Sequence, residues 1–166
     1  MDLLKGKRLG VLGALLASLA IAVPLASAEE ITRDEYVARV EPVCKTNTEA
    51  NQRIFKGAKS EVKEGELTKA SKRFKRAVVA FNKTISQIKA VPEPAADKPK
   101  LDKWIGYLKI ESSYLGKIGK ALGEGNKYKA QNLSVRLNRN SNLANNTVLA
   151  FGFDYCRIQP SRFSGG

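Results

Sequence analysis

The feature that most constrains this fold is a pair of cysteines, Cys44 and Cys156, which are the only two in the chain. Cys44 lies near the start of the first predicted helix, and Cys156 follows the last one. In an exported protein, two cysteines favour one disulfide, the alternative being two separate buried thiols. A bond between them would close a loop of about 100 residues and stabilise the fold by up to about 4.7 kcal/mol.

The N-terminal sequence predicts export. Lys5, Lys7 and Arg8 precede an apolar run that ends at Pro24, and small residues follow at 26–28. This order is typical of a signal peptide, which we place at residues 1–28 with cleavage after Ala28. The alternative is an uncleaved anchor, because the apolar run could just reach the roughly 20 residues that span a bilayer. Either way, we expect the protein to be secreted or held at the cell envelope, outside the cytoplasmic membrane.

Residues 29–156 contain four stripes of apolar residues with helical spacing. The first helix begins at a capping box formed by Thr32 and Glu35, and Pro42 predicts a kink in it or a junction between two helices. Gly65 marks the turn to the second helix, whose stripe is the most regular. Asp97 is expected to cap the third helix and Asn126 the fourth.

Two polar features interrupt these stripes. Glu111 occupies a core position of the third helix, where a carboxylate needs either solvent or a partner. The fourth helix is rich in amides between Asn138 and Thr147.

Four stripes joined by short links predict an all-α fold, namely an antiparallel up-down-up-down four-helix bundle closed by the disulfide, with residues 157–166 as a tail. The first and fourth helices would then be neighbours. Asn47 and Asn51 would face Asn145, Asn146 and Thr147, and these side chains could pair across the helices and fix their register. Two alternatives remain open: the asparagines are simply exposed, or they line a ligand site.

The residues that catalysis most often uses are scarce. The chain has no histidine, and a disulfide would occupy both cysteines, which excludes the usual zinc sites and cysteine nucleophiles. No phosphate-binding glycine loop or nucleophile elbow occurs. We therefore predict a protein that is not an enzyme and that has no metal site and no cofactor.

The chain is strongly basic, with a formal net charge of +13. One face of the second helix carries a cluster of cations that we call the predicted basic surface: Lys69, Lys72, Arg73, Arg76 and Lys83. Such a surface attracts polyanions, so an anionic envelope polymer or lipid headgroups are the expected partners. Nucleic acid is disfavoured because no aromatic residues alternate with the lysines. The first functional hypothesis is thus a non-enzymatic exported binding or structural module, and the alternative for the cations is a solvated face that keeps the protein soluble.

The second hypothesis is a carrier of a small ligand. Its predicted pocket lies between the third and fourth helices and comprises Tyr107, Glu111, Tyr114 and Asn140. A haem-like ligand is included because a tyrosinate can bind haem iron. A cavity of roughly 300 Å³ or more with convergent polar groups would favour the carrier over the surface module.

Three segments also carry a resemblance: Glu41-Pro42-Val43-Cys44-Lys45-x-Asn47, Asn142-Leu143-Ala144-Asn145-Asn146 and Phe151-Gly152-Phe153-x-Tyr155-Cys156. They resemble those of small uncharacterised secreted helical proteins of actinobacteria that contain two cysteines. The resemblance covers most of the exported chain. It implies export and a disulfide, and it implies no activity.

Overall fold

The computed structural model describes residues 30–158, which are helical, with no β-strand among them. The α-helices are α1 Arg33–Phe55, α2 Ala58–Glu64, α3 Leu67–Lys89, α4 Lys98–Gly123 and α5 Lys127–Thr147. Short 3₁₀ turns occur at Ala95–Asp97 and Leu149–Phe151. The predictions of an all-α fold and of the Cys44–Cys156 disulfide are confirmed. The predicted signal peptide and the tail after Ile158 lie outside the described residues.

The start of α1 is the predicted capping box. Thr32 Oγ1 accepts a hydrogen bond from the Glu35 backbone N–H at 3.2 Å, and the Glu35 carboxylate accepts one from the Thr32 N–H at 2.8 Å. α1 then continues through Pro42 without a break. The break that sequence analysis missed lies at Lys56 and Gly57, where Gly57 adopts a left-handed backbone with φ of 82°. The first predicted helix is therefore two helices, α1 and α2.

A buried ion pair holds the short helix α2 against α3. The carboxylate oxygens of Glu61 accept from Nε and Nη2 of Arg73 at 2.7 and 2.6 Å, and Nη1 of Arg73 donates to the carbonyl of Ile54 at 2.7 Å. Hydrogen bonds from the guanidinium keep the pKa of Glu61 below its usual range. Because these bonds are charged and bidentate, Arg73 firmly joins the ends of α1 and α2 to α3.

α3 and α4 lie close together in opposite directions. Ser71 Oγ donates to the carbonyl of Gly119 at 2.6 Å, and Ser112 Oγ donates to Asn82 Oδ1 at 2.6 Å. Residue numbers thus rise along α3 as they fall along α4, which is the order of antiparallel neighbours. A Cβ atom at position 119 would lie only 2.8 Å from the Phe74 Cβ, so glycine permits this approach.

α5 packs on α4 in the same opposed sense. Near the α4–α5 turn, Ala130 clusters with Leu122. Further along, Asn140 Nδ2 donates to the carbonyl of Tyr107 at 2.9 Å. Asn126 caps α5 as predicted, because its side chain accepts from the Lys129 N–H.

α1 packs on α3, and its two ends are held differently. At its C-terminal end the ring of Phe55 contacts Phe74 edge-on, with centroids 5.0 Å apart. At its N-terminal end, Arg33 binds both carboxylate oxygens of Asp97 at 2.7 Å. Asp97 occupies the expected N-cap position of α4, but its carboxylate binds Arg33 and makes no capping hydrogen bond.

The expected direct packing of α1 against α5 is also wrong. The most extensive helix contacts are those of α3 with α4, α4 with α5 and α1 with α3, and α2 also packs on α3, whereas α1 and α5 share few contacts or none. The largest buried cluster contains Trp104 and Leu108 of α4 and Phe81 of α3. α1 and α5 remain apart, and the space between them is a cavity.

Candidate functional site

The cavity has a volume of about 720 Å³ and is partly open to solvent. Residues of all five α-helices, of the junction between α1 and α2 and of the segment after α5 line it. Small-molecule sites typically measure about 300–1,000 Å³. The hydrophobic part of the lining, here called the apolar wall, includes Phe55, Phe74, Phe81, Trp104, Leu108 and Leu115. The cavity is large enough for a small organic ligand and offers it mainly apolar contacts.

Residues 153–158, here called the C-terminal strap, join α1 to α5 beside the cavity. On α1, Cys44 forms the disulfide with Cys156, with Cα atoms 5.0 Å apart. Also on α1, the Glu41 carboxylate accepts from the backbone N–H groups of Asp154 and Tyr155 at 2.8 and 3.0 Å. These bonds, rather than direct contact of α1 with α5, bring the two cysteines together.

The other end of the strap is fixed to α5 by one side-chain amide. Asn145 Nδ2 donates to the carbonyl of Ile158, and Asn145 Oδ1 accepts from the Ile158 N–H, both at 2.8 Å. The ring of Phe153 stacks on Trp104 with centroids 5.5 Å apart. Since Arg157 and Ile158 line the cavity, the strap is one of its walls.

Four residues that line the cavity each carry a buried polar atom with no hydrogen-bond partner among residues 30–158. The atoms are Asn51 Oδ1, Trp104 Nε1, Glu111 Oε2 and Arg157 Nε. The first three of these residues are 7 %, 1 % and 6 % exposed. A buried polar group without a partner costs roughly 1–3 kcal/mol. These unpaired atoms therefore reduce the stability of the folded protein as it stands.

Glu111 is the only acidic residue among the described residues that line the cavity. Burial raises its pKa to about 8, while the nearby Ser141 hydroxyl acts in the opposite direction. The carboxyl group is therefore largely neutral at pH 7. In that form it can donate as well as accept a hydrogen bond.

Four cationic side chains line the open part of the cavity, and we call them the mouth cations: Arg53, Lys56, Lys59 and Arg157. Arg53, Lys56 and Lys59 are exposed, and Arg157 is half-buried. Among residues 30–158 none of the four forms a salt bridge. The Nε of Arg157 is buried without a hydrogen-bond partner in that range. Positive charge is thus concentrated where the cavity meets solvent.

Of the residues in the predicted pocket, Glu111 alone lines the cavity. Asn140 instead bonds the backbone of Tyr107, and Lys117 lies over the ring of Tyr114 at 5.6 Å. The pocket was predicted to lie between the third and fourth helices alone, but α1, α3 and the strap also line the cavity. The two tyrosines do not converge on the cavity, so it offers a haem iron no tyrosinate from this pair.

The predicted basic surface is only partly a free surface. Arg73 is bound to buried Glu61, and Lys69 forms salt bridges with Glu61 and Glu66. Lys72, Arg76 and Lys83 are exposed and form no salt bridge within residues 30–158. Arg73 therefore stabilises the packing of α2 on α3 and is not part of an exposed binding surface.

The proposed pairing of amides between the first and last helices is wrong. Asn47 and Asn51 bond each other within α1 at 3.2 Å, and Asn145 bonds the strap. Thr147 donates to the carbonyl of Leu143 in its own helix. Asn47, Asn51 and the α5 residue Asn138 line the cavity, whereas Asn145, Asn146 and Thr147 do not.

Sequence analysis missed several residues of the site. Glu41 gave no signal, because a carboxylate on a helix surface is common and its partners lie 113–115 residues away. Lys56 and Lys59 could have been found from Gly57, since a glycine within a helical pattern is a sign of a break. Arg157 was assigned to the tail, although it follows Cys156 directly and is therefore held near the disulfide.

Within residues 30–158 no group of three or more His, Cys, Asp or Glu side chains could hold a metal ion. None of the helices in that range has both the length and the apolar character of a transmembrane span. The disulfide is consistent with a non-reducing environment.

Comparisons with protein-family models, with curated proteins and with solved structures give no significant match. The site must therefore be interpreted from its own geometry and chemistry.

Proposed function

We propose that this protein is a non-enzymatic exported binding protein that holds a small, largely apolar ligand inside its helical bundle. The cavity of about 720 Å³ is the observation that carries the proposal. Protein interiors are normally packed with few voids larger than a water molecule. A space of this size, with an apolar wall and a few polar atoms, has the form of a ligand site.

Three residues with unpaired polar atoms support this function because all three line the cavity. Trp104 Nε1 is a donor, Asn51 Oδ1 is an acceptor, and neutral Glu111 can be either. In a binding site, a few such groups fix the orientation of the ligand while the apolar wall supplies most of the contact area. A carrier thus accounts for these groups, which would otherwise reduce the stability of a filled core.

The experiment is a titration with N-phenylnaphthylamine, an uncharged apolar dye that fluoresces when it leaves water. We expect one dye molecule per chain, with quenching of Trp104, which is the only tryptophan and lines the cavity. Ser134 lines the cavity on α5, so Ser134→Phe should fill space and weaken dye binding at least about tenfold, since a few kcal/mol of lost contact suffices.

Ser113→Phe is the matched control, because Ser113 is exposed on α4 and is not part of the lining. It should bind the dye as the wild type does. Circular dichroism and thermal unfolding establish that both variants fold. Equal binding by folded Ser134→Phe and the wild type would place the dye elsewhere and contradict the proposal, as would an absence of binding to the wild type.

A further inference from the structure

We infer that the ligand is an anionic amphiphile, a molecule with a negatively charged head group and an apolar body. Its head group binds the mouth cations, and its body lies along the apolar wall. This inference rests on the proposed function and adds the chemical class of the ligand.

The first step is the distribution of charge around the cavity. All four charged side chains at its mouth are cationic, and the single acidic lining residue, Glu111, is buried. Some cations elsewhere are paired, as Arg33 is with Asp97 and Arg73 with Glu61, but the mouth cations have no acidic partner among the lining residues apart from buried Glu111. Like charges held close together repel one another, so a bound anion would relieve this repulsion at the mouth.

The second step concerns the guanidinium group of Arg157, one of the mouth cations. Its Nε is a donor without an acceptor among residues 30–158, and the side chain forms no salt bridge there. The oxygens of a carboxylate or phosphate are strong acceptors, and a guanidinium suits them particularly well. A cationic head group would instead meet the mouth cations as a like charge.

The third step is the apolar wall behind the mouth. A polyanion that bound only the surface would leave the phenylalanine side chains of the wall and Trp104 without a role. A molecule with both an anionic head and an apolar body contacts the mouth cations and the apolar wall together. Burial of apolar surface supplies the larger part of such affinity, and the charges supply orientation and selectivity.

The test compares three molecules that share one alkyl chain: laurate, dodecanol and dodecylamine. Each is used to displace N-phenylnaphthylamine from the intact protein below its micelle concentration. Laurate should bind more tightly than the other two by on the order of tenfold, and added salt should narrow the difference because the mouth cations are exposed. Dodecyl phosphate is included as a fourth probe. Tighter binding of the phosphate or of the carboxylate indicates a phospholipid-type or a fatty-acid-type source, and either supports the inference.

Two charge-matched triple variants locate the head group. Arg53→Gln/Lys56→Gln/Lys59→Gln should weaken laurate binding by on the order of tenfold more than it weakens binding of the uncharged dye. Lys72→Gln/Arg76→Gln/Lys83→Gln removes the same charge from residues that do not line the cavity, and it should change neither affinity. Circular dichroism checks the fold of each variant.

The outcomes separate the two proposals. If the wild type binds no dye, the proposed function fails. If it binds dye but dodecanol or dodecylamine displaces the dye as well as laurate does, the cavity binds ligands and the anionic class is wrong. Equal loss of laurate affinity in both triple variants would assign the effect to overall charge and overturn the head-group site.

Discussion

Glu111 is the residue whose charge depends most on the cavity. Its pKa is raised from an ordinary value of 4.5 to about 8 by burial. Between these values the folded protein keeps the proton while the unfolded chain loses it, so stability falls as pH rises. The slope is at most about 1.4 kcal/mol per pH unit. Below about pH 4.5 this contribution is fully present, and above about pH 8 it is lost.

Glu111→Gln removes this titration while keeping the shape of the neutral side chain. We expect the variant to match the wild type near pH 4.5 and to become more stable than it by at least about 2 kcal/mol near pH 8. Urea unfolding across this range measures the difference. Glu49→Gln, at an exposed position of α1, controls for the loss of one carboxylate. A constant difference between Glu111→Gln and the wild type across this range would show that Glu111 is already ionised in the folded protein.

Arg73 forms a buried ion pair with Glu61, whereas its neighbour in sequence, Lys72, is exposed. Glu61 is 3 % exposed, so Arg73→Gln leaves a buried carboxylate with the more distant Lys69, at 3.6 Å, as its salt-bridge partner. We expect a loss of stability clearly larger than that of a surface substitution. Chemical denaturation should show that loss for Arg73→Gln and a change within about 0.5 kcal/mol for the exposed Lys72→Gln. Equal effects of the two variants would mean that the Glu61 pair contributes little to the stability of α2 and α3.

At the scale of elements, one carboxylate of α1 binds the backbone of the C-terminal strap. Glu41 accepts hydrogen bonds from successive backbone N–H groups of the strap. Hydrogen bonds to a charged group contribute about 1.5–3 kcal/mol each. Glu41→Gln keeps the size of the side chain but removes the charge. We expect faster amide hydrogen exchange at Asp154, Tyr155 and Cys156, with the amides of α3 unchanged, as measured by NMR. Slow exchange retained at these strap amides would assign their protection to the disulfide alone.

The helices could be predicted from the sequence because their signals are local. The capping box at Thr32, the left-handed Gly65 and the cap at Asn126 all act within a few residues, and the structure contains each of them. The side-chain cap expected at Asp97 is absent because a cap and an ion pair compete for the same carboxylate. Its partner, Arg33, lies 64 residues away, and no local pattern reveals that distance.

The cavity was harder to predict from the sequence because it also depends on contacts between residues far apart in the chain. The amide-rich face of α5 departs from apolar periodicity, and that departure was visible in the sequence. It was compatible with pairing across helices, with exposure or with a lined cavity. The choice among these depends on the distance between α1 and α5, which is set by the packing of each on a different neighbour. Glu111 was singled out because a carboxylate at a core position requires an explanation wherever the helix lies.

At the scale of the whole molecule, the disulfide connects stability to binding. It links residues 112 positions apart and fixes the strap, one wall of the cavity, to α1. The double variant Cys44→Ser/Cys156→Ser should lose about 2–5 kcal/mol of stability to unfolding. Its strap would still be held by Glu41 and Asn145, but with lower occupancy.

The double variant should therefore bind N-phenylnaphthylamine more weakly than the wild type. The two are compared at temperatures and denaturant concentrations at which circular dichroism shows that the helices of both are intact. The wild type treated with a reductant should behave in the same way. If a helical double variant bound the dye as tightly as the wild type, the strap would not be needed as a wall of the cavity. The disulfide would then act on stability alone, since the site would be formed by the helices without it.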